Sequence, residues 1–212
     1  QWSFDGKDTV WTSTTAGTVA DTSVNTNTGT LTSMSQSASP VIGKIGQALD
    51  FDGSADYVTV VDNASLDVGD TADLTLTGWF YRDTFTTDDT IVAKRNGIAS
   101  TDDGYILYID DATDQLIFEV SENSGTDEYS LTSDTVFTSA KWYHFVVVWN
   151  QDSGVNSQIY INGETDGADD TGTIGNIGDL SQALAFNIGA ESDGGNPFDG
   201  KLDDIRIYNK RD

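Results

Sequence analysis

The residues best placed to do chemistry lie in the last strand-like stretch, Gly200-Lys201-Leu202-Asp203-Asp204-Ile205-Arg206-Ile207-Tyr208-Asn209. Side chains of an extended chain alternate between two faces. Asp203, Ile205 and Ile207 are therefore expected on one face, and Leu202, Asp204, Arg206 and Tyr208 on the other. Two β-branched residues in register mark a core face. A carboxylate entering that face is costly unless it is paired, hydrogen-bonded or bound to a metal. In an acidic, oxygen-rich chain without cysteine, the ion that suits such a site is calcium, a hard cation held by oxygen ligands. Structural Ca2+ at Asp203 is thus the first expectation.

Two other groups of residues invite a chemical reading. Residues 19–29, Val-Ala-Asp-Thr-Ser-Val-Asn-Thr-Asn-Thr-Gly, are rich in side-chain oxygens. They read either as a surface loop whose side chains bond their own backbone or as a contributor to an ion site. The single histidine, His144, sits among large residues in Trp142-Tyr143-His144-Phe145. It reads as a packed core or sheet-face residue, since no nucleophile is evident beside it for general-base work.

The whole composition narrows the function classes. With 35 acidic against 10 basic residues, the 212-residue chain carries a formal charge of −25. That repels nucleic acid and anionic membrane surfaces, so neither is an expected partner. The same acidity also suits solubility or a salty habitat. No apolar run approaches the ~20 residues that span a bilayer, so no membrane insertion is expected. Absence of cysteine excludes disulfides and thiol chemistry. The chain opens on Gln1-Trp2-Ser3-Phe4, already strand-like, which suggests a removed leader or a domain excised from a longer extracellular or cell-surface protein.

The elements that must position these residues read as strands. Turn chemistry recurs about every ten residues and helix-period stretches are scarce, the pattern of an all-β sandwich or jelly roll. One domain over residues 1–212 and about a dozen strands are expected. Residues 7–39 read as a long rim loop with a short strand near Thr30-Leu31-Thr32. Residues 43–53 form a glycine-bracketed strand with residues 56–61 as its hairpin partner, and Asp52 and Asp56 there read as turn caps or as a second ion site. Leu74-Thr75-Leu76-Thr77-Gly78-Trp79-Phe80-Tyr81-Arg82 alternates, with Trp79 and Tyr81 on an amphipathic face. Residues 142–149 are apolar on both faces, which implies an interior strand. Asn162-Gly163 is a strong hairpin signal, and residues 164–182 read as an acidic loop.

Several blocks now resemble one family in the right order. Gly46-Gln47-Ala48-Leu49-Asp50-Phe51-Asp52-Gly53, Asp56-Tyr57-Val58 and residues 74–80 are similar to the laminin-G-like jelly roll of the concanavalin-A-like lectin/glucanase superfamily. So are residues 141–148, the "lyvnG"-like hairpin Ile159-Tyr160-Ile161-Asn162-Gly163, the closing strand from Phe198, and residues 21–29, which resemble a "DsSGNgntG" loop. The resemblance implies a two-sheet antiparallel sandwich. It also implies a structural calcium held by the first Asp of a closing strand like "DYVRVY", here Asp203, with backbone carbonyls from a glycine, here Gly46, and from the first strand near Ser3. Asp21 and Asn25 are further candidates from the neighbouring loop.

Glucanase members of that family carry E-x-D-x-E, whose carboxylates about 5–5.5 Å apart serve retaining hydrolysis. Glutamate occurs here only at 119, 122, 128, 164 and 191. The nearest pair, Glu119 and Glu122, falls on opposite strand faces, so a non-catalytic domain is expected. A glycan-binding or adhesion module is one reading, with Trp11, Trp79, Tyr81, Tyr105 and Tyr108 as platform residues. A structural or protein-binding unit of a larger surface protein or filament is the other, and a glucanase-type glycoside hydrolase with an unusual site is a third, which turnover of a β-glucan would reveal.

Overall fold

In a computed structural model of the chain, residues 1–69, 73–84, 87–98, 102–122, 124, 126–151, 157–172 and 177–209 are described. The fold is all-β, as the turn spacing predicts: a jelly-roll sandwich of two antiparallel sheets, one of ten strands and one of seven. The strands outnumber the dozen expected because two stretches read as loops contain short strands. Within residues 7–39 lie β1 (Thr9–Trp11), β2 (Gly17–Val19) and β3 (Gly29–Thr32). Within 164–182 lie β14 (Glu164–Asp166) and β15 (Ala168–Gly172). Each is three to five residues long, too short for alternation to emerge from a background of Thr, Gly and Asp.

The seven-stranded sheet carries most of the features followed below. Its remaining strands are β4 (Pro40–Ile42), β5 (Gln47–Asp52), β7 (Leu74–Arg82), β12 (Trp142–Trp149), β13 (Gln158–Ile161) and β17 (Asp199–Tyr208). They run in the order β14-β13-β12-β7-β17-β5-β4. As its composition predicts, β12 is interior, between β13 and β7. Asn162 and Gly163 take φ of 55° and 86°, the left-handed pair that a two-residue hairpin turn needs. The ten-stranded sheet is completed by β6 (Tyr57–Val60), β8 (Asp89–Lys94), β9 (Gly104–Ile109), β10 (Leu116–Glu122), β11 (Asp127–Ser133) and β16 (Phe186–Ile188).

The expected hairpin between residues 47–52 and 56–61 does not form. β5 pairs with β4 and β17, whereas β6 pairs with β3 and β16 in the other sheet. The chain crosses between layers at residues 53–56. Asp52 Oδ1 caps the crossing by accepting from Ser54 N at 2.9 Å and Ala55 N at 3.1 Å, so the turn-cap reading of Asp52 holds.

Between the sheets lies one large core. Trp2, Leu49, Leu76, Phe80, Phe145 and Ile205 meet Tyr105, Phe118, Tyr129, Phe186 and Ile188 there. Trp2 enters it through a single antiparallel bridge, with Trp2 N donating to Ile205 O at 2.9 Å and Ile205 N to Trp2 O at 3.0 Å. Close packing is visible at Gly189, whose φ is +85° and where a Cβ would collide with the Phe51 ring. Gly189→Ala is expected to cost about 2–3 kcal/mol through left-handed strain and overpacking, to be read as a lowered urea midpoint with unchanged slope.

A buried carboxylate and an open aromatic face

The closing strand does not alternate as its sequence suggests. Its register on β7 shifts between Asp203 and Arg206, and Asp204 takes a left-handed φ of 52°. This is a β-bulge, in which one extra residue resets which side chains face inward. Leu202, Ile205 and Ile207 therefore all pack on the core. Asp203 does not share a face with Ile205 and Ile207, contrary to the sequence expectation. It lies opposite Trp79, on the outer side of the sheet.

Asp203 is nonetheless fully buried, because the turn of residues 43–46 folds over it. Ile45 N donates to Asp203 Oδ2 at 2.7 Å, and a Cβ on Gly43 would stand only 2.7 Å from that oxygen. The other oxygen, Oδ1, is buried with no hydrogen-bond partner among the described residues. Burial pushes the carboxyl up to about 6. The amides of Ile45 and Lys44 oppose the shift, and the charges of Asp204 and Asp5 add to it. An acid this strongly desolvated, with one oxygen left without a donor, is costly to keep ionised.

The predicted partners of Asp203 divide into two groups. Gly46 closes the same turn with φ +70°, its carbonyl accepting from Gly43 N at 3.0 Å. The bridge at Trp2 brings the first segment alongside β17. Ser3 lies in that segment; its hydroxyl donates to Asp8 Oδ2 at 2.7 Å, and its carbonyl accepts no hydrogen bond among the described residues. Asp5 accepts from Gln47 N at 3.0 Å and crowds the α-carbon of Gly46.

Asp21 gathers a separate set. It accepts from Gln1 N at 2.7 Å, Ser23 N at 2.9 Å, Ser23 Oγ at 2.9 Å and Asn27 N at 2.8 Å. Burial raises its pKa, but these donors outweigh burial and hold it below the usual range. Asn25 is exposed on the same loop. The oxygen-rich loop is thus tied by its own backbone, as the first of its two readings has it. Asp56 is buried and pushed up to about 6, chiefly by desolvation and then by Asp52.

The aromatic candidates also separate. Tyr105 is fully buried and its hydroxyl donates to Leu66 O at 2.8 Å, so it offers no face to a ligand. Tyr108 packs in a small cluster with Ala93 and Ile106, and Trp11 leans on the main core. Trp79 and Tyr81 stand half-exposed on the outer face of the seven-stranded sheet. Directly opposite them on β12 are His144 and Trp142, residues that the sequence reading did not count as platform. Only the pairing register of β12 on β7 brings them there, and neither strand's own sequence shows it.

Ring centroids are 4.8 Å apart for Trp79–His144 and 5.6 Å for Tyr81–Trp142. Lys44 Nζ lies 5.0 Å from the Trp79 centroid and Lys201 Nζ 4.6 Å from that of Tyr81. Lys201 is also held by Asp83 at 2.8 Å and Asp50 at 3.2 Å. His144 is a sheet-face residue: its Nε2 pairs with Thr77 Oγ1 at 3.2 Å. Burial lowers its pKa, with Asp204 opposing and Arg206 adding.

Glu119 and Glu122 occupy opposite faces of β10, as their spacing requires. Glu119 is ion-paired with Arg95 at 2.5 Å. Glu122 accepts from Gly178 N at 2.6 Å.

A family profile described as the concanavalin A-like lectin/glucanases superfamily matches residues 52–211. The chain belongs to that superfamily. No curated protein sequence matches it. Among solved structures, this superfamily member is similar to the binding domain of Paraclostridial Mosquitocidal Protein 1, at 16% identity and a TM-score of 0.65. The match covers 91% of this chain but 46% of that one, so the chain spans just under half of that protein's length. Domain 4 of AbnA, a GH43 extracellular arabinanase from Geobacillus stearothermophilus solved with arabinotriose, matches at 19% identity and a TM-score of 0.60, covering 99% of this chain and 90% of that domain. Domains LG4-5 of the mouse laminin alpha1 chain match at 14% identity and a TM-score of 0.52, over 76% of this chain and 40% of that one. At these identities the likeness is one of fold.

Proposed function

We propose that this superfamily member is a non-catalytic, extracellular glycan-binding or adhesion module whose sandwich is stabilised by calcium at Asp203. The observation that carries the binding role is the open aromatic face: Trp79, Tyr81, Trp142 and His144 stand together, half-exposed, with Lys201, Asp50 and Asp83 beside them. Flat apolar rings ringed by polar groups suit the C–H faces and hydroxyls of sugars. The similarly folded arabinanase domain was solved with arabinotriose, which makes arabinan fragments the first ligands to try. Glu119 and Glu122, the nearest pair of glutamates in sequence, are turned apart and each is engaged, which supports the non-catalytic reading.

For the ion, Asp203 Oδ1 supplies an uncommitted carboxylate oxygen, and the carbonyls of Ser3 and Gly46 lie in the segments beside it. The bound ion would supply charge neutralisation for the buried acid and a tie between β17, the 43–46 turn and the first segment. Asp21 and Asn25 stand outside this set, because Asp21 already has four donors.

A glycan array in calcium buffer with a chelated control tests the binding role. Trp79→Ala is expected to weaken any glycan captured by about two- to tenfold while leaving the fold intact, since a stacking ring contributes on the order of 0.5–1.5 kcal/mol. Ordered self-association with no glycan retained would favour a structural subunit instead.

A further inference from the structure

A cleft of about 310 Å³ opens between the oxygen-rich loop and the end of β17, lined by Ser23, Val24, Asn25, Arg206, Ile207 and Tyr208. We infer that it is a binding pocket for a single uncharged sugar ring, the end subsite of the glycan tract; this deepens the function proposed above and rests on it. Four observations lead there.

The walls are preformed. Asp21 locks one side through its bonds to Ser23 and Asn27, and Asn27 Nδ2 donates to Ser65 Oγ at 2.8 Å. On the other side, Asp204 holds the Arg206 guanidinium at 2.5 Å. A rigid pocket spares a ligand the cost of ordering loops.

The lining suits a sugar. Tyr208 offers a half-exposed ring, and Val24 is 96% exposed at the rim. The Asn25 side chain is exposed, with an amide that can both donate and accept. A few convergent polar groups on an apolar lining, in this size range, are the usual make-up of a small-molecule site.

The charge argues for an uncharged ligand. The two cationic groups that line the cleft are both compensated, Arg206 by Asp204 and the Gln1 α-ammonium by Asp21, and the whole chain stands at −25, which disfavours anionic polymers.

Arg206 and Tyr208 of the cleft share the outer sheet face with the aromatic residues. They lie opposite Thr77 and Thr75 on β7, the strand that carries Trp79 and Tyr81 on the same side. From Thr75 to Tyr81 is six residues, about 20 Å at strand rise, enough for an oligosaccharide to run along β7 with one end in the cleft.

The test uses saturation-transfer NMR and calorimetry with uncharged arabino-, gluco-, manno- and xylo-pentasaccharides and a galacturonate pentasaccharide as the charged arm. Tyr208→Ala and Asn25→Ala are each expected to weaken binding of an uncharged chain at least fivefold. Their melting temperatures should match wild type, and saturation transfer to the terminal ring should fade first. If binding survives both changes but falls in Trp79→Ala, the cleft is not a subsite and the binding role stands. Binding of galacturonate alone would overturn the uncharged class. If none of the five chains binds, both the cleft and the binding role fall.

Discussion

Adding calcium to the metal-free protein is expected to raise its melting temperature by about 5–15 °C, and Asp203→Asn should abolish that rise. An ion that binds only the folded state stabilises it by mass action, about 2.7–4 kcal/mol at 100–1,000 times its dissociation constant, and one kcal/mol moves a domain of this size by about 2–4 °C. The sharper expectation concerns the variant without metal. Asn can still accept from Ile45 N, as Asp203 does at 2.7 Å, but it removes a fully buried charge with an orphaned oxygen. In chelator at neutral pH, Asp203→Asn should therefore match or exceed the wild-type melting temperature, and in millimolar calcium it should fall below it. Scanning calorimetry of both proteins in both buffers checks this crossing. Equal melting temperatures of wild type with and without calcium would remove the ion from the account. Asp21→Asn, by contrast, should leave the calcium response in place.

The second large effect is on pH. Asp203 and Asp56 are both pushed up to about 6 by burial, against an unfolded value near 3.9. A raised folded pKa means the folded state holds its proton more tightly. Its contribution is complete below the unfolded value and is lost as pH rises through about 6. Metal-free protein should thus gain stability on going from pH 7 to pH 5, by on the order of 1 kcal/mol for each group. Calcium should cancel the Asp203 share, since a bound cation favours the ionised form. Urea titrations at pH 5 and 7, with and without calcium, measure it. Asp56→Asn and Asp203→Asn should each flatten the metal-free pH dependence; a slope unchanged in both would contradict the assignment. Asp21 works in the opposite sense, because its donors lower its pKa and its contribution is lost on acidification.

Much of the molecule follows from sequence alone. The period-two pattern of residues 74–82 fixes which side chains of β7 face the core, and every second residue is buried as expected. Asn162-Gly163 could only turn a hairpin, because both residues tolerate positive φ. The closing-strand aspartate was singled out correctly as a buried acid, and the resemblance of ordered blocks leads to the superfamily that the profile match shows. These are local properties: propensity, alternation and turn chemistry act over a few residues.

Tertiary structure decided the rest, because it depends on segments far apart in the chain. The bulge at Asp203–Asp204 is a mismatch between β17 and β7, invisible in either strand, and it moves Asp203 from the core face to the outer face. Burial of that acid is then the work of a turn about 158 residues away in sequence, through Ile45. The crossing at residues 53–56 looks like a hairpin locally but joins two sheets, since β5 and β6 each find better partners elsewhere. The aromatic platform was half legible. Trp79 and Tyr81 announce themselves by alternation, but His144 and Trp142 join them only through the cross-strand register, and Tyr105 is withdrawn into the core by the opposite sheet.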